Sequence, residues 1–116
     1  MRAIRLSLVT GALLLALAAP ALAGYPKTLF AAVQKAYAPK KVHLDGFCYK
    51  TFHGRLYTLV DVTYLRNDKA GSAAFRLFTK AGWFALWKDG KVLPAVEKRQ
   101  RGHVRAVVKR LHKECP

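Results

Sequence analysis

The first 23 residues constrain the rest of the chain more than any other feature. Arg2 and Arg5 give a positively charged start, an uncharged apolar-rich run extends over residues 6–19, and Pro20 precedes Ala-Leu-Ala at 21–23. This pattern is typical of a secretory signal peptide that is cleaved after Ala23. The apolar run is shorter than the roughly 20 residues that span a bilayer, which disfavours a retained anchor. We therefore expect an exported protein, periplasmic or extracellular, whose fold is built from residues 24–116 alone.

Loss of residues 1–23 leaves 93 of the 116 residues, enough for a single small domain. A chain this short buries a modest fraction of its surface, so a covalent cross-link adds useful stability. Cys48 and Cys115 are its only cysteines. An even count in an exported chain predicts a disulfide, the alternatives being two free thiols or a bond between chains. A loop of 67 positions is worth roughly 4 kcal/mol in the chain-entropy model.

The charge is strongly one-sided. The chain has 21 Lys and Arg against 6 Asp and Glu, and two of the basic residues lie in the leader, which leaves +13 on residues 24–116. A field of this sign attracts polyanions over long distances. The candidate partners outside the cytoplasm are lipopolysaccharide, anionic phospholipid, acidic polysaccharide, released nucleic acid and an acidic protein. The alternative is that the charge serves solubility alone.

The first half of the mature chain predicts one helix and two strands. Apolar residues at helical spacing indicate a helix over residues 27–38, which Pro39 ends. Residues 42–52 alternate as a strand, with Val42, Leu44, Cys48 and Phe52 on one face and Phe47 and Tyr49 on the other. A turn at residues 53–55 leads to a strand over residues 56–66, rich in β-branched and aromatic side chains and expected to be covered on both faces.

The second half predicts a meander and a closing helix. Residues 72–82 fit either a strand or a helix, and we favour the strand. Residues 83–88 form the next strand, in which Trp83 and Trp87 have the same parity and are expected on one face. Asp89-Gly90 suits a type I′ turn. Residues 91–95 form an edge strand, because Pro94 cannot donate to a ladder.

Residues 96–113 predict a basic amphipathic helix. Val104, Val107, Val108 and Leu111 form its apolar stripe, and Cys115 continues that line. The sequence therefore predicts an α+β fold: an N-terminal helix, an antiparallel meander of four to five strands, and a C-terminal helix packed on the sheet. The Cys48–Cys115 bond would hold this helix to the first strand.

Two surfaces are candidates for binding. The first, for polyanions, is the polar side of the last helix, with the cations Lys98, Arg99, Arg101, Arg105, Lys109, Arg110 and Lys113. The second is an open sheet face, where aromatic side chains beyond the needs of the core stack bases or sugars. Its neighbouring cations would be Lys50, Arg55, Arg76 and Lys88. The alternatives are coverage of both faces or burial in a homodimer.

Catalytic signals are weak. No Cys/His spacing fits zinc, no cofactor motif is present, and Ser72 is the only serine after the leader, without a Gly-x-Ser-x-Gly sequence. Two histidines with a lysine can cleave RNA by acid–base catalysis. His43 or His53 with His103, assisted by Lys50, is the combination to consider.

The sequence thus favours an exported, non-enzymatic binding or accessory domain that engages an anionic partner through a basic surface. The alternatives are a small secreted nuclease or toxin that uses paired histidines, and a structural module that forms homodimers.

Overall fold

The computed structural model describes residues 28–79 and 81–116. The chain divides into two compact units, Met1–Phe30 and Ala31–Pro116. Residues 28–30 of the first unit are described, and they are helical. The expected signal peptide, residues 1–23, lies outside the described residues.

The described residues form two helices and a five-stranded sheet. Helix α1 comprises residues 28–37. Strands β1 to β5 pair in sequence order as an antiparallel meander, and a short 3-10 turn, Lys98–Gln100, precedes helix α2, Arg101–Glu114. The predicted α+β class is confirmed, and residues 72–78 of the ambiguous segment take the favoured strand form. The strand bounds are Val42–Phe52, Arg55–Tyr64, Ala70–Phe78, Gly82–Lys88 and Lys91–Val92.

The tight turns follow from residues that accept positive φ. His53 and Gly54 connect β1 to β2 with φ of 53° and 73°, and Asp89 and Gly90 connect β4 to β5 with 48° and 94°. A type I′ turn needs positive φ at both central positions, so the turn expected at Asp89-Gly90 is confirmed. Strand β5 lies at the sheet edge as expected, but it has only two residues.

A β-bulge reverses the expected faces of β1. Leu44 pairs with Val62, but the register shifts between Leu44 and Gly46, and Phe47 pairs with Val60. Directly paired residues share a face, so the expectation that Val42 and Leu44 share a face with Cys48 and Phe52 is wrong. Alternation holds only in an unbroken strand, and the extra residue at position 45 restarts it.

A second bulge separates the two tryptophans. Trp87 pairs with Ala74, and Trp83 pairs with Leu77, with a register shift between Ala74 and Phe75. Ala74 and Leu77 lie on opposite faces of β3, so the expectation that Trp83 and Trp87 share a face is wrong. Trp87 packs against the core beneath α2, whereas Trp83 stacks on Tyr49 with ring centroids 5.8 Å apart.

Helix α2 covers one face of the sheet, called here the α2 face. Its stripe Val104, Val107, Val108 and Leu111 is buried as predicted and joins a core cluster with sheet residues such as Leu59 and Leu86. The predicted Cys48–Cys115 disulfide is present, with Cα atoms 6.0 Å apart. The helix starts at Arg101 and not at residue 96. The disulfide and the apolar stripe together fix which side of α2 faces solvent.

The other sheet face is buried along its centre. Val60, Val62, Ala73 and Phe75 are at most 1% exposed. The last part of α1 lies near this face, because Lys88 Nζ donates to the Ala36 carbonyl at 3.1 Å. Leu59, on the α2 face, is also buried, so β2 is covered on both faces as the sequence predicted.

Candidate binding surfaces

Four cations on α2 form one continuous line on its solvent side. Arg101, Arg105, Lys109 and Lys113 follow one another at intervals of four residues, and are called here the basic ridge. Residues four apart are neighbours on a helix surface. Arg105, Lys109 and Lys113 are exposed and Arg101 is half-buried. The buried stripe holds the opposite side of α2, so the ridge is fixed outward.

Of the seven cations that the sequence offers as one binding surface, three have partners within the protein and four have no acidic partner among the described residues. Arg99 Nε pairs with Glu97 at 3.2 Å, and Arg110 Nε pairs with Glu114 at 2.6 Å. The Arg110 guanidinium also lies 4.2 Å from the centre of the Phe52 ring. Arg101 Nη2 donates to the Leu93 carbonyl at 3.5 Å. Ion pairs with acids, within the described part of the chain, are absent for Lys98, Arg105, Lys109 and Lys113.

The basic ridge opposes the stability of its own helix. Like charges at i,i+4 each cost about 0.2–0.5 kcal/mol, and the ridge contains three such neighbouring pairs. The first turn of α2 has no acidic residue, and Gln100 makes no side-chain capping hydrogen bond. Arg101 therefore lies near a helix end whose dipole disfavours positive charge. Packing, and not surface electrostatics, holds α2 in place.

An aromatic and cationic row extends beyond the end of α2 on the same sheet face. Lys50, Tyr57, Arg76 and Phe84 are paired in register across β1 to β4. The Arg76 guanidinium lies 4.1 Å from the centre of the Phe78 ring, and Phe78 and Phe84 are 37% and 39% exposed. The expected meeting of aromatic and basic side chains occurs here. Lys88 is not part of it, because it pairs with Ala73 on the other face.

The two histidines considered as partners of His103 do not lie together. His43 and His53 lie at opposite ends of strand β1, about 30 Å apart at the usual rise per residue. His43 Nδ1 lies 2.8 Å from Asp45 Oδ1, and Thr63 donates to Asp45 Oδ2 at 2.5 Å. The Thr63 hydrogen bond, followed by that of His43, lowers the pKa of Asp45. His103 lies in the first turn of α2.

A concavity that sequence reasoning missed lies at one end of the sheet. It has a volume of about 1420 Å³ and is lined by residues 39–41 after α1, by residues 64–67 and 69–72 from the end of β2 to the start of β3, by the Asp89-Gly90 turn, and by Asp61. We call it the end cleft. Lys40, Lys41, Arg66 and Lys69 are its cations. Four separate segments build it, so no local sequence pattern marks it.

The carboxylate of Asp89 ties these segments together. Its Oδ1 accepts hydrogen bonds from the Ser72 backbone N–H at 2.9 Å and from the Tyr37 hydroxyl at 3.3 Å. Its Oδ2 accepts a short hydrogen bond from the Tyr64 hydroxyl. Sequence reasoning assigned Asp89 to the turn alone. The type I′ turn by itself accounts for an aspartate with positive φ at this position, so no signal in the sequence indicates the further role of the carboxylate.

The two phenols at Asp89 are held in their neutral form. Burial, followed by the hydrogen bond to Asp89, raises the pKa of Tyr64 to about 12. Burial and the charge of Asp89 also raise the pKa of Tyr37. Both hydroxyls therefore carry their protons at neutral pH and donate them to Asp89. Their oxygen lone pairs remain as acceptors.

Gly71 allows these groups to approach one another. A Cβ at this position would lie 2.8 Å from Asp89 Oδ1, 3.1 Å from Val62 Cγ2 and 3.2 Å from Tyr64 Cε2. These separations are shorter than ordinary van der Waals contact, so a larger residue would displace Asp89 or Tyr64. The ring of Tyr64, which lines the cleft, is also in contact with other residues. Tyr37 and Tyr64 meet edge to face at 5.4 Å, and Lys40 Nζ lies 5.5 Å from the Tyr64 ring centre.

Comparisons with known proteins add no further assignment. Neither the protein-family models, nor the curated proteins, nor the solved structures contain a match to this chain. In residues 28–79 and 81–116, no helix is long and apolar enough to cross a membrane. Over the same residues, no group of three or more His, Cys, Asp or Glu side chains is placed to hold a metal ion.

Proposed function

We propose that this protein is an exported, non-enzymatic binding domain that engages an anionic polymer through the basic ridge of α2. The observation that carries the proposal is the ridge itself: an unbroken line of four cations, of which Arg105, Lys109 and Lys113 have no acidic partner in the described residues. These charges weaken the helix that bears them. Binding of an anionic partner would explain why the helix carries charges that lower its own stability.

The disulfide supports the extracytoplasmic part of the proposal. Structural disulfides persist in oxidising compartments such as the periplasm and the extracellular space. The Cys48–Cys115 bond closes a loop of 67 positions. Lipopolysaccharide, anionic phospholipid, acidic polysaccharide, nucleic acid and an acidic protein surface all carry the charge that the ridge would attract.

The geometry of the ridge favours a polymer over a small ligand. The ridge is the convex side of a helix, and its four charges extend over about 18 Å at the usual helical rise. A small anion would contact one or two of these cations at high dielectric, where each contact is worth little. A polymer contacts all four and releases the counterions that it had bound.

Heparin affinity, measured from low to high salt, tests the proposal. The double variant Arg105→Glu/Lys109→Glu should bind at least about tenfold more weakly, with a shallower dependence on salt. The matched control is Lys35→Glu/Lys91→Glu, which changes two exposed lysines outside both surfaces and gives the same net charge. Equal losses in both variants would show that net charge alone governs binding, and that the ridge is not a site.

The nuclease alternative is tested separately. Both histidine pairings considered for catalysis use His103, with His43 or with His53, and the separation of His43 from His53 allows at most one of the two. Incubation with RNA and with DNA at neutral pH should leave both intact. Cleavage that disappears in a His103→Ala variant, with the fold unchanged, would replace the binding proposal by an enzymatic one.

A further inference from the structure

We infer that the end cleft is a second binding site, independent of the basic ridge, and that its ligand is an acidic sugar. The ligand class is a hydroxylated ring that carries a carboxylate or a phosphate. The inference rests on four features of the cleft: its shape, its charges, its hydrogen-bonding groups and its occupied aromatic faces.

The shape of the cleft suits a ligand of one to a few rings. Its volume of about 1420 Å³ exceeds the roughly 300–1,000 Å³ of sites for drug-sized molecules. Its walls are held in place from several sides. The Leu65 N–H donates to the Lys41 carbonyl at 3.0 Å and the Tyr64 N–H donates to the Lys69 carbonyl at 2.8 Å. The Asn67 side chain accepts a hydrogen bond from the Lys69 N–H at 3.1 Å.

The charges of the cleft select an anion. Lys40, Lys41, Arg66 and Lys69 line it, against the two acids Asp61 and Asp89. The Asp89 carboxylate already accepts hydrogen bonds from two phenols and one backbone amide. Its negative charge is therefore stabilised by groups of the protein itself, and the net charge that the cleft presents to a ligand is positive. Arg66 can bind a carboxylate or phosphate through two parallel hydrogen bonds.

The remaining polar groups select hydroxyls beside the anion. The Asp61 side chain is exposed on the cleft wall and makes no ion pair or side-chain hydrogen bond with any other described residue. A carboxylate in a site for a bare anion would repel the ligand, whereas a carboxylate in a sugar site accepts hydrogen bonds from ring hydroxyls. Leu65, which is 57% exposed, gives the cleft an apolar surface for the C–H face of a sugar.

The aromatic residues disfavour a nucleotide base. Stacking of a base requires an open aromatic face. Tyr37 is 2% exposed, and Lys40 already lies over the Tyr64 ring. Within the described ranges, Tyr64 is the only aromatic residue that lines the cleft. A sugar needs no such face.

Titration of the 15N-labelled protein by NMR tests this inference. The probes are digalacturonate and glucose 6-phosphate, which distinguish a carboxylate from a phosphate source, with glucose, inorganic phosphate and AMP as comparison ligands. At least one acidic sugar should shift amide signals of residues 39–41, 64–72 and 89–90, and bind more tightly than glucose or phosphate. Equal binding of phosphate and acidic sugar, or tighter binding of AMP, would overturn the inference.

Two variants locate the contacts. Arg66→Gln should weaken binding of the acidic sugar by roughly tenfold or more, because it removes a charged hydrogen-bonding group. Lys109→Gln on the ridge is the matched control and should change this affinity less than about twofold, because exposed charges at a distance are screened. Equal effects of both variants would contradict a site in the cleft.

Asp61→Asn separates a sugar site from a bare anion site. Loss of the carboxylate should weaken binding of an acidic sugar whose hydroxyls contact it. In a site that recognises charge alone, the same change would strengthen binding by removing repulsion, and that result would contradict the inference. Thermal unfolding of each variant confirms that the fold is retained. Heparin affinity of the Asp61 and Arg66 variants reports on the ridge separately, so either proposal can fail without the other.

Discussion

The basic ridge and the end cleft each present four cations, but they arise in different ways. The ridge lies on one helix at a regular interval and is convex. The cleft is concave, and its cations come from two segments that are brought together around Asp89. The ridge is therefore adapted to long polyanions through charge alone. The cleft adds shape and hydrogen-bonding groups, which are the usual source of selectivity for small ligands.

The two regions also differ in their relation to stability. The ridge charges raise the free energy of α2, and three of the four, Arg105, Lys109 and Lys113, are exposed and take no part in its packing. In the cleft, Asp89 and Tyr64 are part of the fold, because their hydrogen bond joins the end of β2 to the β4–β5 turn. Substitutions on the ridge should change binding and leave the fold intact. Substitutions at the base of the cleft should change stability as well.

The largest expected effect on stability follows removal of the disulfide, which anchors the ridge but not the cleft. The variant Cys48→Ala/Cys115→Ala should lower the free energy of unfolding by about 2–4 kcal/mol, because the unfolded chain regains the entropy of a 67-residue loop. Urea unfolding measures this loss. Hydrogen exchange should accelerate in the last turn of α2 and remain unchanged at residues 64–72. Faster exchange in both regions alike would mean that the two are not structurally independent.

Two glycines, one in each region, should respond with opposite signs. Gly71→Ala should cost about 1–3 kcal/mol, because the new Cβ would lie 2.8 Å from Asp89 Oδ1. Gly102→Ala should stabilise the protein by up to about 1 kcal/mol, because alanine is the better helix former and its Cβ would meet nothing within 4 Å. Chemical unfolding of both variants checks the signs, and a neutral Gly71→Ala variant would contradict the close packing of Asp89.

The smallest expected effect is a dependence on pH that belongs to the cleft. The pKa of Tyr64 is about 12 in the folded protein, against about 10 in an unfolded chain. The folded state thus binds the phenolic proton more tightly, and the resulting stability is complete below about pH 10 and is lost as pH rises towards 12. In Tyr64→Phe this loss should be smaller than in the wild type. Parallel unfolding curves at pH 7 and pH 11 measure it, and identical losses in both proteins would contradict the Tyr64–Asp89 hydrogen bond.

The fold could be predicted from sequence where the pattern is local and unbroken. The stripe of α2, the Asp89-Gly90 turn and the pairing of Cys48 with Cys115 all follow from spacing or from count. The faces of β1 and β4 could not be predicted, because one inserted residue in each pairing restarts the alternation of side chains. Nothing in the residue types around position 45 or position 86 marks these insertions.

The two surfaces differ in the same way: the ridge could be predicted from the sequence, and the cleft could not. The ridge follows from helical periodicity and charge. The cleft depends on tertiary pairing, since Gly71 and Asp89 are 18 positions apart in sequence and meet through the β3–β4 hairpin. Sequence reasoning placed Asp89 only in its turn, because positive φ and turn propensity account for an aspartate there without a further partner.

Lys109→Glu tests the central claim, that the ridge binds polyanions at the expense of its helix, most directly. The glutamate would form i,i+4 pairs with Arg105 and Lys113 in place of two repulsions. The free energy of unfolding should therefore rise by about 0.8–2 kcal/mol, while heparin affinity at low salt falls. Both quantities are measured on the same purified variant. A gain in stability with unchanged heparin affinity, or a fall in both, would contradict the account.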